Sequence, residues 1–421
     1  MKICDRTLLR RRPIDADDQY TTPVAAIVAD VRARGDAALR DYTARFDRVQ
    51  LDDLRVQHPE RALDLVVPDV LAALRAAAAR LEQFHRQQPV HSWMTTNMGG
   101  VLGQMVSPLA RVGCYVPGGT APLPSTVLHT VTLARVAGVP EIVVATPPNP
   151  DFPDSECVNP VILAAAVIAG ATEVVRVGGA QAIAALAHGT ASLRPVSKIV
   201  GPGNIYVTLA KKLVYGVVGI DGLAGPTETV VVADAEANPA WVAADLLAQA
   251  EHDVLASAIL LTPSEALARG VQAQVAAQVE RLTRAGIITQ TFDARSGIVL
   301  THDLAEAVAL ADEYAPEHLC LAVRDPWVWA PQIKHAGGLF LGEHSFEVLG
   351  DYVAGPSHVM PTAGSARFAS PLSVLDFVRL TSLVALDPAT TARLAPHAAT
   401  LARAELLDAH ANAALRRVES P

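Results

Sequence analysis

The sequence predicts an α/β protein with parallel sheets, organised in more than one domain. From Arg111 onward, short β-rich runs alternate with alanine-rich segments of helical length, an order that calls for parallel strands joined by crossover helices. Glycine and proline punctuate those runs, as at Pro147-Pro148 after a strand and Gly170 after a helix. With 421 residues, 51% of them hydrophobic and 18% charged, the chain can fill large cores, and its length favours several domains over one.

The first twenty residues are polar and aperiodic, and read as an arm. Thr22 then caps a helix with Pro23 in its first turn, ending at Gly35, and Asp36 caps the next, which carries Leu39, Tyr42 and Phe46. A third helix follows Pro68-Asp69, with Leu71, Leu74, Ala77, Ala78 and Leu81 on one face. In the first α/β block, strands are expected at 141–146, 173–177 and 198–200, and helices at 161–169, 180–187 and 204–215. A second block opens with the strand 229–233. Asn238 and Pro239 start a helix reaching about His252, 257–261 is a strand, and Thr262-Pro263-Ser264-Glu265 reads as a capping box. A helix at 305–311 and strands at 319–323 and 339–341 follow, and the tail from about Ala389 is helical.

Composition excludes several classes. A net charge of -9, with no basic run longer than Arg10-Arg11-Arg12, argues against nucleic acid and anionic membrane as partners. Four scattered cysteines without a C-x-x-C pair fit a reducing cytosol rather than a disulfide framework. The charged N-terminus predicts no signal peptide, and the apolar runs are too short to span a bilayer.

The stretch from Asp312 to Pro361 gathers Glu317, His318, His335, Glu343, His344, Asp351 and His358 among glycines and prolines. Such groups cost folding energy in an apolar chain unless they have work to do. Glu317 beside His318 offers two proton-transfer groups of different resting pKa; the alternative is a solvated surface pair. Gln249 and His252, three apart near a helix end, either grip one ion or leave His252 as a helix-dipole partner. Together with Asp351 and His358 or the late His410, they make a plausible zinc set. Three turns, Gly113 to Gly119, Gly178-Gly179-Ala180-Gln181 and Gly201-Pro202-Gly203-Asn204, either close tightly or cradle a nucleotide phosphate. No cysteine stands in a setting that would activate a thiol nucleophile, and His129 and His344 remain ambiguous.

With R-A-R-G-D-A-A-L-R-D-Y-T, V-G-C-Y-V-P-G-G, V-G-G-A-Q-A-I-A-A-L, V-G-P-G-N-I-Y-V-T-L-A-K, A-G-P-T-E, L-L-A-Q-A-E-H-D, E-Y-A-P-E-H-L and G-D-Y-V-A-G-P-S-H-V-M-P-T, the chain resembles the histidinol dehydrogenases from about Thr22 to the His410 helix. The resemblance implies two related incomplete Rossmann-like domains of aldehyde-dehydrogenase type, an N-terminal arm (1–21) and a helical C-terminal dimerisation segment (376–421). In that division, 22–110 and 228–375 form the domain with the zinc and acid/base residues, and 111–227 the NAD-binding domain. It implies a cytoplasmic homodimer with shared active sites that oxidises L-histidinol through L-histidinal to L-histidine, using Zn2+ and two NAD, at the end of histidine biosynthesis. Gln249, His252, Asp351 and His410 would be the zinc ligands, which also hold substrate. Glu317 and His318 would be the acid/base pair, with His318 also touching substrate. Tyr115, Gln181 and Asn204 would contact NAD; Thr227, His358 and Glu405 would contact substrate. Departures from the family pattern are Thr227 for serine, Gly222 and His129 for methionine, Leu406 for glycine and Val254 for proline. The alternatives are a relative acting on another small polar alcohol, and a zinc-binding structural or regulatory protein without catalysis.

Overall fold

The structure, a computed structural model, describes residues 1–11, 18–118 and 122–418. Gly119, the last residue of the first glycine turn, lies outside the described residues, as does part of the arm. Two compact units emerge: Met1–Gln87 with Ala110–Phe377, and Gln88–Leu109 with the segment from Val378.

The first unit holds two parallel sheets. One has five strands in the order Glu173–Arg176, Glu141–Thr146, Arg111–Tyr115, Lys198–Val200, Gly219–Ile220. The other has six, in the order Ile3–Cys4, Gly297–Leu300, Ser257–Thr262, Glu228–Ala233, His318–Ala322, Gly338–Leu341. In each sheet the first strand of the block is central, the next two run to one side and the last two to the other. That is the half-Rossmann order, with a switch point beside the central strand. The expected pair of related Rossmann-like halves is therefore present. Strands such as Val230-Val231-Val232 and Ile259-Leu260-Leu261 are buried on both faces, the pattern of a parallel sheet covered by helices.

The helices Asp18–Arg34 and Asp36–Phe46 place Val24, Ile27, Val31 and Leu39 in one core with Tyr115 and Val143 of the five-stranded sheet and Ile183 of the helix Gly179–His188. The helix Pro68–His85 lies on Pro124–Val136. Residues 18–85 thus cover the first sheet, not the second with which the sequence grouped them, because their apolar stripes meet that sheet's helices. The arm is not wholly aperiodic either, since Ile3–Cys4 extends the six-stranded sheet.

Local corrections concern caps. The first helix starts at Asp18, before Thr22, and keeps Pro23 inside it. Asp36 is the first helical residue, behind a Gly35 cap at φ 57, and its carboxylate accepts from the Ser192 hydroxyl at 2.5 Å instead of capping. In the supposed capping box the cap is Ser264, which accepts from Leu267 N–H at 3.2 Å. A helix, Ala285–Ala294, and the strand Gly297–Leu300 were not foreseen.

The second unit is an antiparallel sheet of Val378–Ala385, Val101–Pro108 and Trp93–Thr95, plus the helices Pro388–Ala404 and Asp408–Leu415. The C-terminal segment is helical as expected but opens with a strand. Among the described residues, no helix is long and apolar enough to cross a membrane.

Candidate active site

Glu317 and His318 lie at the amino end of the strand His318–Ala322, next to the central strand of the six-stranded sheet. Ala315 adopts a left-handed conformation (φ 53) and Pro316 follows, turning the chain so that Glu317 and His318 enter the sheet buried. A solvated surface pair is thereby excluded. Glu317 Oε2 accepts from the Thr227 hydroxyl at 2.6 Å and from Glu228 N–H at 3.0 Å. The same Thr227 oxygen accepts from Gln249 Nε2 at 2.9 Å, so the amide's donor side is committed. His318 Nδ1–H donates to the Glu228 carbonyl at 3.2 Å and lies 3.7 Å from Glu317.

His318 Nε2 is buried, stands 3.5 Å from Asp351 Oδ1, and completes no hydrogen bond. Burial raises the Glu317 pKa to about 7, against the opposing pull of His318 and of the two hydrogen bonds. Burial also opposes a charged His318, but the Glu317 charge, the Asp351 contact and the Glu347 charge outweigh it and raise the ring to about 10. The surrounding carboxylates thus favour the protonated imidazole.

Asp351, in the short helix Glu347–Tyr352, is largely buried, which raises its pKa; contact with His318 and the charges of His358 and His252 overcome this and keep it low. His358 Nδ1–H donates to the Asp351 carbonyl at 2.9 Å. Its ring stacks on the fully buried His129, with centroids 4.0 Å apart, and its N–H donates to His129 Nδ1 at 3.0 Å. His129 is thus no longer ambiguous: it is the packing partner of His358.

His252 stands beyond the helix Pro239–Ala250, in a turn closed by its own N–H on the Gln249 carbonyl at 3.3 Å. The helix expected to reach about His252 thus stops two residues short of it. The side chain keeps solvent contact, yet protein packed around the imidazole lowers its pKa, with Asp351 opposing. Among the described residues, no three His, Cys, Asp or Glu side chains form a ready-made metal cage. Glu405 and His410 belong to the second unit, where both are exposed, at the end of one helix and in the first turn of the next.

The other named residues lie on the five-stranded sheet. Tyr115 ends its central strand and Asn204 follows the neighbouring strand, so both flank the switch point. Gly179 N–H donates to the buried Tyr115 hydroxyl at 3.0 Å, fixing the turn in front of Gln181, itself buried. Asn204 caps the helix Ile205–Val214 by accepting from Val207 N–H at 3.2 Å, and it alone of the three is exposed. The buried Lys211 secures this turn by donating to the Gly201 carbonyl at 3.0 Å and pairing with Asp221. A cavity of about 290 Å3 opens beside it, lined by Pro202, Lys211, Leu223, Met360 and Phe368, but none of the named site residues lines it.

Sequence reasoning missed Glu228 and Glu347. Glu228 stands in A-G-P-T-E, but only the pairing of its strand with His318 gives its backbone a role. Glu347 is buried, accepts from the Thr229 hydroxyl, and is raised to about 8 by burial. The cysteines are quiet: burial pushes Cys114 up to about 12 and Cys320 well above its usual value, so neither supplies a thiolate.

Two half-Rossmann sheets, one with glycine turns at its switch point and the other with a buried carboxylate–imidazole pair, define an α/β protein of doubly wound, Rossmann-like class. The family model for histidinol dehydrogenase matches residues 10–418. Histidinol dehydrogenase of Deinococcus radiodurans is 53% identical over 94% of this chain and 90% of its own length, and that of Moorella thermoacetica 51% over 94% of each. A crystal structure of histidinol dehydrogenase from Elizabethkingia anophelis superposes with a TM-score of 0.93 at 36% identity, covering 98% of this chain and 95% of that one. The chain belongs to the histidinol dehydrogenase family, a family of oxidoreductases.

Proposed function

We propose that this protein is a zinc- and NAD-dependent histidinol dehydrogenase that carries L-histidinol through L-histidinal to L-histidine, as the last step of histidine biosynthesis in the cytoplasm. The observation that carries the reading is the buried Glu317–His318 pair, held from one side by Thr227 and Glu228 and faced from the other by Asp351.

The donors fit zinc. Asp351 is kept ionised, His252 is kept neutral, and Gln249, its N–H donating to Thr227, has its carbonyl oxygen left for a cation. The largely buried Asp351, kept ionised among His318, His252 and His358, marks the place where positive charge is wanted. Bound there, zinc would hold the substrate's imidazole and amino groups and favour neutral His318. NAD would lie at the Asn204-capped helix start and the glycine turn before it, where free backbone N–H groups suit a pyrophosphate.

NAD, when bound, would supply the hydride acceptor for each oxidation, and His318 would take the hydroxyl proton of the first. Glu317, held by the Thr227 hydroxyl, would take a proton from the water that attacks the aldehyde, preparing it for the second oxidation. His358 and Thr227 position the substrate. Glu405 and the fourth ligand, His410, come from a neighbouring subunit of a homodimer.

Purified protein given zinc and NAD is expected to form about two NADH per L-histidinol consumed, the stoichiometry of a four-electron oxidation. No NADH from histidinol, with turnover of another amino alcohol, would overturn the substrate assignment.

A further inference from the structure

Arg11, in the arm that the sequence left without a role, reaches the segments that carry the acid/base pair. Its guanidinium forms a two-pronged ion pair with Glu228, NH2 lying 3.0 Å from Oε2. It also donates to the Tyr314 carbonyl, at 2.9 Å from Nε and 2.6 Å from NH2, and to the Ala315 carbonyl at 3.0 Å. The Tyr314 ring packs on its flat face, 4.0 Å from centroid to Cζ. On its other side, Gly364 (φ 78), just before the short turn Ser365–Arg367, leaves room, since a Cβ there would come within 2.7 Å of Arg11 Nε.

Glu228 is the residue whose N–H holds Glu317 and whose carbonyl holds His318. Tyr314 and Ala315 form the turn immediately before Pro316-Glu317. We propose that Arg11 is a positioning residue for the Glu317–His318 pair: its guanidinium fork clamps the strand end that holds both groups to the turn that delivers them. This rests on the acid/base reading of that pair. A guanidinium can serve carboxylate and carbonyls at once through fixed, diverging donors, whereas a lysine ammonium cannot span both.

The bland alternative is that Arg11 only fastens the arm. Full-length Arg11→Ala and Arg11→Lys, assayed with L-histidinol, zinc and NAD, separate the two. Positioning predicts that Arg11→Ala lowers kcat by about 10- to 100-fold, the usual consequence of a small misplacement, with the KM for NAD within about threefold of wild type. Millimolar guanidinium should restore at least part of that kcat, and Arg11→Lys should remain several-fold impaired. A kcat that stays at the wild-type level in both variants, or a loss that follows the unfolded fraction and ignores guanidinium, overturns the proposal. If Arg11→Ala does not fold, Arg11→Lys decides: wild-type kcat refutes positioning, and a several-fold loss at unchanged KM supports it. Glu317→Gln and His318→Asn belong in the same assay. If they keep wild-type kcat, the acid/base reading itself falls; if they are inactive while both Arg11 variants are normal, only the Arg11 proposal falls.

Discussion

The Thr227 hydroxyl donates to Glu317 at 2.6 Å while accepting from Gln249 at 2.9 Å, which couples a proton-transfer carboxylate to a metal-ligand candidate through one oxygen. Glu317 and Gln249 are both buried, so each depends on that hydroxyl for a side-chain partner. Thr227→Val keeps the volume but strands both partners. It should cost about 1–3 kcal/mol of stability and, by raising the Glu317 pKa further, lower kcat about tenfold. Thr227→Ser, the residue common in the family, should stay within about threefold of wild type. Denaturant titration and steady-state kinetics on the two variants check this, and equal behaviour would remove Thr227 from the site.

Buried carboxyl groups make stability fall as pH rises. Glu347 sits near 4.5 unfolded and about 8 folded, facing His318, Asp351 and Asp245. Between those values the folded chain binds the extra proton, so each pH unit removes up to about 1.4 kcal/mol, and the loss is complete above pH 8. Glu317 and Asp245, both raised to about 7 mainly by burial, act in the same sense, as does His318, whose contribution is full below 6.5 and lost on passing about 10. Glu347→Gln should therefore gain on wild type as pH rises from 5 to 9. Denaturant midpoints at pH 5, 7 and 9 test this; parallel curves for the two proteins would disprove it.

Most of the parallel framework was legible because β-rich runs and alanine-rich helices differ in period and are punctuated by proline and glycine. The strand at 141–146 and the helix ended by Gly170 (φ 92) lie where the sequence puts them. What stayed hidden depends on partners distant in sequence. Ile3–Cys4 becomes a strand only beside Gly297–Leu300, and the 101–108 strand needs 378–385. At the site, residue types revealed Glu317, His318 and Asp351, but the backbone of Glu228 would serve the pair whatever its residue type, and its carboxylate meets Arg11 only in the fold. Arg11, 217 positions from Glu228, gave no local signal at all.

Leu406 carries a strain that the family pattern avoids. It lies at φ 61 just after the helix Pro388–Ala404, with its N–H on the Arg403 carbonyl at 3.0 Å and Leu407 N–H on the Ala402 carbonyl at 2.8 Å. This pair of bonds is the Schellman ending, whose left-handed residue is usually glycine. A leucine there pays the left-handed penalty, and its side chain is exposed enough to contribute little packing. Leu406→Gly should raise stability by about 1 kcal/mol, net of the extra flexibility of the unfolded chain. A lower denaturation midpoint for this variant would show that Leu406 packs usefully after all.

Metal content separates ligands from proton carriers. Asp351 touches His318 and shares charge with His252 and His358, so the metal reading and the acid/base reading meet at this carboxylate. His252→Asn and Asp351→Asn should each lower zinc bound per chain, measured by atomic emission after dialysis against dilute chelator. His318→Asn should keep zinc while losing most of kcat, because its ring faces Asp351 without being counted among the ligands. In wild type, a strong chelator should abolish histidinol oxidation and added zinc restore it, with proton release on binding as the neighbouring His318 gives up its proton. Full zinc content in His252→Asn would break the ligand set. Zinc lost from His318→Asn alone would instead make His318 a ligand and leave Glu317 as the only proton carrier of the pair.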